Sequence, residues 1–167
     1  MKLYGVTGWK NCGKTTLVER LVAHLTAQGL RVSTIKHAHH AFDIDHEGRD
    51  SHRHRVAGAS EVLVASKARW ALIHELRGEV EPSLDALLER LSPSDLVLVE
   101  GYKRDRHPKV EAHRAVAAQG LIAENDPSVR LVATDTALGI GREQRDLDDI
   151  RGIADFILSD LGMDEWR

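Results

Sequence analysis

Residues Gly8-Trp9-Lys10-Asn11-Cys12-Gly13-Lys14-Thr15 spell Gly-x-x-x-x-Gly-Lys-Thr, and what stands on either side decides the fold. Upstream, Leu3, Tyr4 and Val6 make a short β-prone segment ending at Thr7-Gly8. Downstream, Leu17, Val18, Leu21, Val22 and Leu25 recur at helical spacing up to a stop at Gly29. A strand running through glycines into a helix is the setting in which this spacing is a phosphate-binding loop and not a chance turn. Gly8 and Gly13 let the backbone fold around an anion so that successive N–H groups point at it. Lys14 reaches the β- and γ-phosphates, Thr15 offers its hydroxyl to a Mg2+, and the helix start adds unpaired N–H groups and its positive dipole end. The expected ligand is a nucleoside triphosphate. A variant loop carries a second lysine directly after the first glycine; here that position is Trp9, so Lys10 is not assigned that role.

Outward from the loop, Arg31–Lys36 is β-branched and gives a β-α-β start, an order that implies a parallel pair. Val62–Ala65 and Trp70–Ile73 flank a polar Ser66-Lys67 turn and predict a hairpin at a sheet edge. Pro82-Ser83 opens a short helix with Leu84, Leu87, Leu88 and Leu91 on one stripe, closed by Pro93, and Leu96–Val99 reads as a buried strand. Lys109–His113 alternates weakly, whereas Val129–Thr134 is a clearer strand. Asp146 is placed to cap a last helix whose apolar face runs from Leu147 to Leu161. The pattern predicts a three-layer α/β P-loop NTPase fold around a mixed, mainly parallel sheet, with residues 1–167 forming a single nucleotide-binding domain.

A composition of 42% hydrophobic and 29% charged residues suits an ordinary globular chain. The net charge of −3, with both signs interspersed, argues against nucleic acid or a membrane as partner. With no membrane-length apolar run and no signal peptide before the first strand, a cytoplasmic location is expected. Cys12 has no second cysteine to pair with and is read as a small residue fitting a tight loop.

Three places carry function-like residues. Leu96–Val99 leads into Glu100, which would stand at the carboxyl end of a parallel strand, where ligands gather, and so serves as candidate metal ligand. Asp95, about 16 Å away at the other end of that strand, does not. Between His37 and His54 lie six of the ten histidines, interleaved with Asp43, Asp45 and Asp50. One reading is a transition-metal site using His37, His39, His40 and His46. The other, favoured because no closed metal-site spacing is present, is a polar loop in which Asp43 or Asp45 helps hold Mg2+ and the basic residues meet an anionic substrate. Finally, Lys103, Arg104, Arg106 and Lys109 place positive charge directly after Glu100, suited to phosphates of a second ligand. A small-molecule kinase with its substrate docked on Lys103 and Arg106 is a further reading.

Taken together, the loop Gly8–Thr16, the run Lys36-His37-Ala38-His39-His40 through Asp43-x-Asp45 to Gly48-Arg49-Asp50-Ser51 and Ala57-Gly58-Ala59, and Val99-Glu100-Gly101-Tyr102-Lys103 with Pro108-Lys109 resemble the molybdopterin-guanine dinucleotide biosynthesis protein B (MobB) family. The resemblance implies a GTP-binding, weakly GTP-hydrolysing, Mg2+-dependent homodimer. Such a protein assists attachment of GMP to molybdopterin together with a separate MobA-type nucleotidyltransferase. It would place Gly8, Asn11, Gly13, Lys14, Thr15 and Thr16 at the nucleotide phosphates, with Cys12 in the same loop, and Thr15 and Glu100 at the metal, to which the polar-loop reading adds Asp45. His37, His39, His40 and Lys103 would face the pterin or the partner. Cys12 stands where a serine is frequent in that family. No Asn-Lys-x-Asp guanine-reading motif is present, since Val132-Ala133-Thr134-Asp135 lacks the lysine.

Overall fold

The computed structural model describes residues 1–38, 42–117 and 119–166. Their contacts separate into two compact units, residues 1–37 with 87–167, and residues 38–86. The first unit is built on six strands: β1 (Lys2–Thr7), β2 (Val32–Lys36), β5 (Leu96–Glu100), β6 (Lys109–His113), β7 (Val129–Thr134) and β8 (Glu143–Asp146). They lie in the order β2-β5-β1-β6-β7-β8, and every neighbouring pair is parallel. The mainly parallel α/β character expected from the sequence is borne out. The antiparallel pair, β3 (Glu61–Ala65) with β4 (Trp70–His74), forms at the expected residues but makes a sheet of its own in the second unit instead of an edge of the main one.

One face of the main sheet carries α1 (Lys14–Ala27) and α4 (Ile150–Asp160), which pack on each other and on Tyr4, Val6, Leu96, Leu98, Val110, Ala112, Leu131 and Ala133. Period-two alternation sends Gly5, Thr7, Glu111 and Val132 to the opposite face. Over β1 and β7 that face is covered by irregular chain: the 3-10 turn Ile122–Glu124 packs on β7, and the eight residues Gly101–Pro108 cross over β1 from the end of β5 to the start of β6. Gly5 makes the crossing possible, because a Cβ there would meet His107 Nε2 at 2.5 Å. No helix among the described residues is long and apolar enough to cross a membrane.

Two local readings are corrected. Asp146 ends β8, a strand the sequence did not reveal, and the cap of α4 is Asp149, which accepts from Gly152 N–H at 2.9 Å. Asp50–Val56, expected within a polar loop, is the helix α2.

The second unit is organised on Arg55. Its guanidinium donates to Asp43 at 2.8 Å, to Glu75 at 2.7 Å and to Asp45 at 3.3 Å, while Arg77 donates to the Arg55 carbonyl at 2.7 Å. Hydrogen bonds from Arg55 and from the Asp45 amide hold the Asp43 carboxyl below its ordinary value. Burial works against Asp45, but donors from Ser51, His46 N–H and Arg55 outweigh it and keep that carboxyl low as well.

Both aspartates ordinarily titrate near 3.8, so their stabilising contribution is complete above that value and is lost as the pH falls through their lower folded values. Acidification from about pH 5 to pH 3 should therefore release amide protons of residues 43–75 before those of β1 and β5. Arg55→Gln should remove this order, and simultaneous loss of protection in both units would rule out the Arg55 cluster as the cause. In the first unit, Gly8→Ala would set a Cβ 2.4 Å from the Ala112 carbonyl at a φ of +139°. Denaturant melts should show a loss of about 3 kcal/mol or more.

Candidate nucleotide site

The end of β1 turns into the phosphate loop through positive-φ residues: Gly8 (139°), Asn11 (66°) and Gly13 (89°). The two glycines are those the motif requires. Asn11 takes the left-handed region because its short amide tolerates it better than other side chains do. Cys12 is fully buried, consistent with a small side chain filling a tight loop. Gly13 precedes α1, and Leu17 N–H bonds to its carbonyl at 2.9 Å, so Lys14, Thr15 and Thr16 form the first helical turn at the carboxyl end of the sheet.

Lys14 Nζ rests on the Trp9 carbonyl at 2.6 Å. Behind the loop, Thr15 Oγ1 donates to Glu100 Oε1 at 2.9 Å, and Lys36 Nζ lies 3.5 Å from the same oxygen. The registers Val6↔Glu100 and Lys36↔Glu100 bring these groups together from β1, β5 and β2. A hydroxyl beside a buried carboxylate is a hard-oxygen pair that fits Mg2+, which takes few protein ligands and keeps waters and phosphate oxygens for the rest of its octahedron. Asp95, by contrast, sits at the other strand end, where it accepts from Arg31 N–H at 2.7 Å.

Other candidates are sorted by their neighbours. His37 follows β2, bonds through its N–H to the Glu100 carbonyl at 2.9 Å, and sets its ring 5.1 Å from that of Tyr102. Lys103 Nζ lies 4.0 Å over the Trp9 ring; burial first, and then the charge of Lys14, push its ammonium pKa down. Asp45 belongs to the second unit, where its oxygens accept from His46 N–H, Ser51 and Arg55. His39 and His40 lie outside the described residues. Among the described residues, no group of three or more His, Cys, Asp or Glu side chains is placed to hold a metal ion.

Lys109, grouped in the sequence with the phosphate-facing cations, is instead fully buried. Its ammonium donates to the carbonyls of Asp105 and His107 and to Ser128 Oγ, with Asp126 at 3.6 Å.

Three residues that sequence reasoning passed over also meet the loop region. Glu111 is fully buried and receives Ile122 N–H at 2.9 Å and Ala123 N–H at 2.8 Å. Burial raises its pKa against the pull of those donors. Arg114 lies against Gly13, at 3.3 Å from the position of a Cβ there, and 3.8 Å from Asp135. Asp135 in turn accepts from Ala115 N–H at 2.9 Å and borders a cavity of about 440 Å³ at the carboxyl ends of β7 and β8. The one available sequence signal was polar residues just beyond strand ends, which is shared by many ordinary loops.

Residues 3–135 match the family described as MobB, Molybdopterin guanine dinucleotide synthesis protein B. The molybdopterin-guanine dinucleotide biosynthesis adapter protein of Haemophilus influenzae is 45% identical over 93% of this chain and 86% of its own length. The Escherichia coli K12 protein of the same description is 39% identical, covering 93% of this chain and 91% of its own. A crystal structure of molybdopterin-guanine biosynthesis protein B superposes with a TM-score of 0.75 at 28% identity, over 95% of this chain and 99% of that one. A match spanning 93% of the chain takes in the second unit as well as the phosphate loop, more than a shared loop motif would explain, and the chain belongs to the MobB family.

Proposed function

We propose that this chain binds GTP with Mg2+, hydrolyses it slowly, and acts as an adapter for a MobA-type nucleotidyltransferase that joins GMP to molybdopterin. The adapter role in molybdopterin guanine dinucleotide biosynthesis rests on family membership and on the descriptions its relatives carry. The observation that carries the nucleotide reading is the contact of Thr15 Oγ1 with Glu100 Oε1, directly beneath the phosphate loop.

In this reading the loop N–H groups and the start of α1 hold the phosphates, and Lys14 leaves the Trp9 carbonyl for the β- and γ-oxygens. Mg2+ would neutralise charge developing on the transferred phosphoryl group. Thr15 would contribute a ligand oxygen, and Glu100 would ligate the ion directly or orient its waters. Lys36, beside Glu100, would keep that carboxylate oriented. Among the described residues no side chain stands out as a base to activate water, which supports slow turnover that a partner could raise by about 10³- to 10⁵-fold if it supplied an arginine. A homodimer would form through the hairpin, where Leu63, Val64, Trp70 and Leu72 are exposed on paired strands.

Calorimetric titration with GTP and with ATP, each with Mg2+ and with or without Zn2+, tests the reading. GTP-selective binding indifferent to zinc is expected, and a preference for ATP would overturn it. Lys14→Ala should lower triphosphate affinity by about a hundredfold or more while leaving the melting curve unchanged. Glu100→Gln should weaken the Mg2+ dependence of binding more than binding without the ion. Intrinsic GTP hydrolysis should be slow in single-turnover assays, and rapid hydrolysis by the isolated chain would contradict an adapter role.

A further inference from the structure

The chain leaving β6 lays a guanidinium on the phosphate loop that the loop motif does not account for. Arg114 directly follows the strand, and its Nε and Nη2 lie 3.3 and 3.6 Å from where a Cβ on Gly13 would stand. Its backbone is fixed from both sides. β6 precedes it, its carbonyl accepts from Ala117 N–H at 2.9 Å, and the next residue, Ala115, donates its N–H to Asp135 at 2.9 Å.

This guanidinium has donors to spare. Five N–H groups are available to an arginine side chain. Among the described residues those of Arg114 make no hydrogen bond, and the ion pair with Asp135 is long, at 3.8 Å. The side chain is 41% exposed, so a ligand can reach it. It stands next to a loop whose own N–H groups are turned towards an anion, which gives the two one shared target.

Strand order says which part of a nucleotide lies there. Lys36 ends β2 and Glu100 ends β5, both on one side of β1, while β6 and β7 lie on the other. With Mg2+ at Thr15 and Glu100, the β- and γ-phosphates that the ion bridges are drawn to the β5 side. The α-phosphate and the nucleoside then extend past Gly13 towards β6 and β7, where the cavity of about 440 Å³ bordered by Asp135 leaves room for the nucleoside.

We propose that Arg114 is a nucleotide-binding residue outside the loop motif, holding the α-phosphate from the β6 side. The assignment rests on the nucleotide reading above. A planar guanidinium takes two oxygens of one phosphate, which the point charge of a lysine does not reproduce. Arg114 stands at the opposite end of the triphosphate from the group that hydrolysis releases, so it supplies affinity and not the transition-state arginine.

The test is calorimetric titration of the full chain with three probes: GDP, a non-hydrolysable GTP analogue with Mg2+, and pyrophosphate with Mg2+, which has no α-phosphate or nucleoside. Arg114→Ala should weaken GDP and the GTP analogue alike, by about tenfold, and pyrophosphate less than twofold. Arg114→Lys keeps the charge and bulk over Gly13 and should recover only part of the loss.

Equal losses for all three probes would mean that Arg114 merely props the loop, and would overturn the assignment. A loss for the GTP analogue with GDP unaffected would put the guanidinium at the γ-phosphate and overturn it too, as would unchanged affinity for every probe. In each of these cases the wild-type chain still binds GDP and the analogue, and the nucleotide reading stands. If the wild-type chain binds none of the three, that reading and the role of Arg114 fall together.

Discussion

The missing side chain at Gly8 is the constraint from which the rest of the first unit follows. A Cβ at that position would lie 2.4 Å from the Ala112 carbonyl. Only a bare Cα lets the chain leaving β1 turn this tightly against β6. The turn fixes where α1 begins, and the position of α1 fixes Thr15 over Glu100. The helix then drops Leu17, Leu21 and Leu25 into a core shared with α4, so packing and phosphate geometry are set by one backbone bend.

Charge is handled differently on the two faces of the sheet. On the α1 side, Glu100 and Lys36 are paired at the strand ends, beside a phosphate loop rich in N–H donors. On the other side, Lys109 and Glu111 are buried in one short strand, and each is satisfied by backbone groups of the chain that covers it: carbonyls for the ammonium, amides for the carboxylate. Ionic groups in such positions are tolerated only when their hydrogen-bonding capacity is used. They tie the crossing loop and the 3-10 turn to the sheet.

Much of this was legible in the residues. The phosphate loop, α1, the strands β1 and β2, the hairpin and the burial of Leu96–Val99 all follow from local pattern, because apolar period and glycine position act within a few residues; the expected pairing of β1 with β2 does not form, because β5 inserts between them. What escaped was stabilised from elsewhere. β6 alternates weakly since Lys109, Glu111 and His113 are buried polar residues with partners distant in sequence. β8 is wholly polar and is recruited by β7, and α2 buries no residue of its own, so neither leaves a hydrophobic signature. Glu100 was accessible because strand direction alone predicts its end of the sheet. Lys109, only nine positions on, was misplaced because its environment depends on Ser128 and Asp126.

The strand order has a temporal consequence. β1 is made first, yet its two neighbours are β5 and β6, with Lys2 facing Leu96 and Gly5 facing Lys109. During synthesis the opening strand must wait, unpaired, until more than half the chain has appeared. The hairpin and α2 close on contacts local to themselves in the meantime. Such long sequence separation slows assembly and prolongs exposure of an apolar segment. The phosphate loop, made ahead of every other part of the nucleotide site, acquires its shape only after β5 and β6 have followed it.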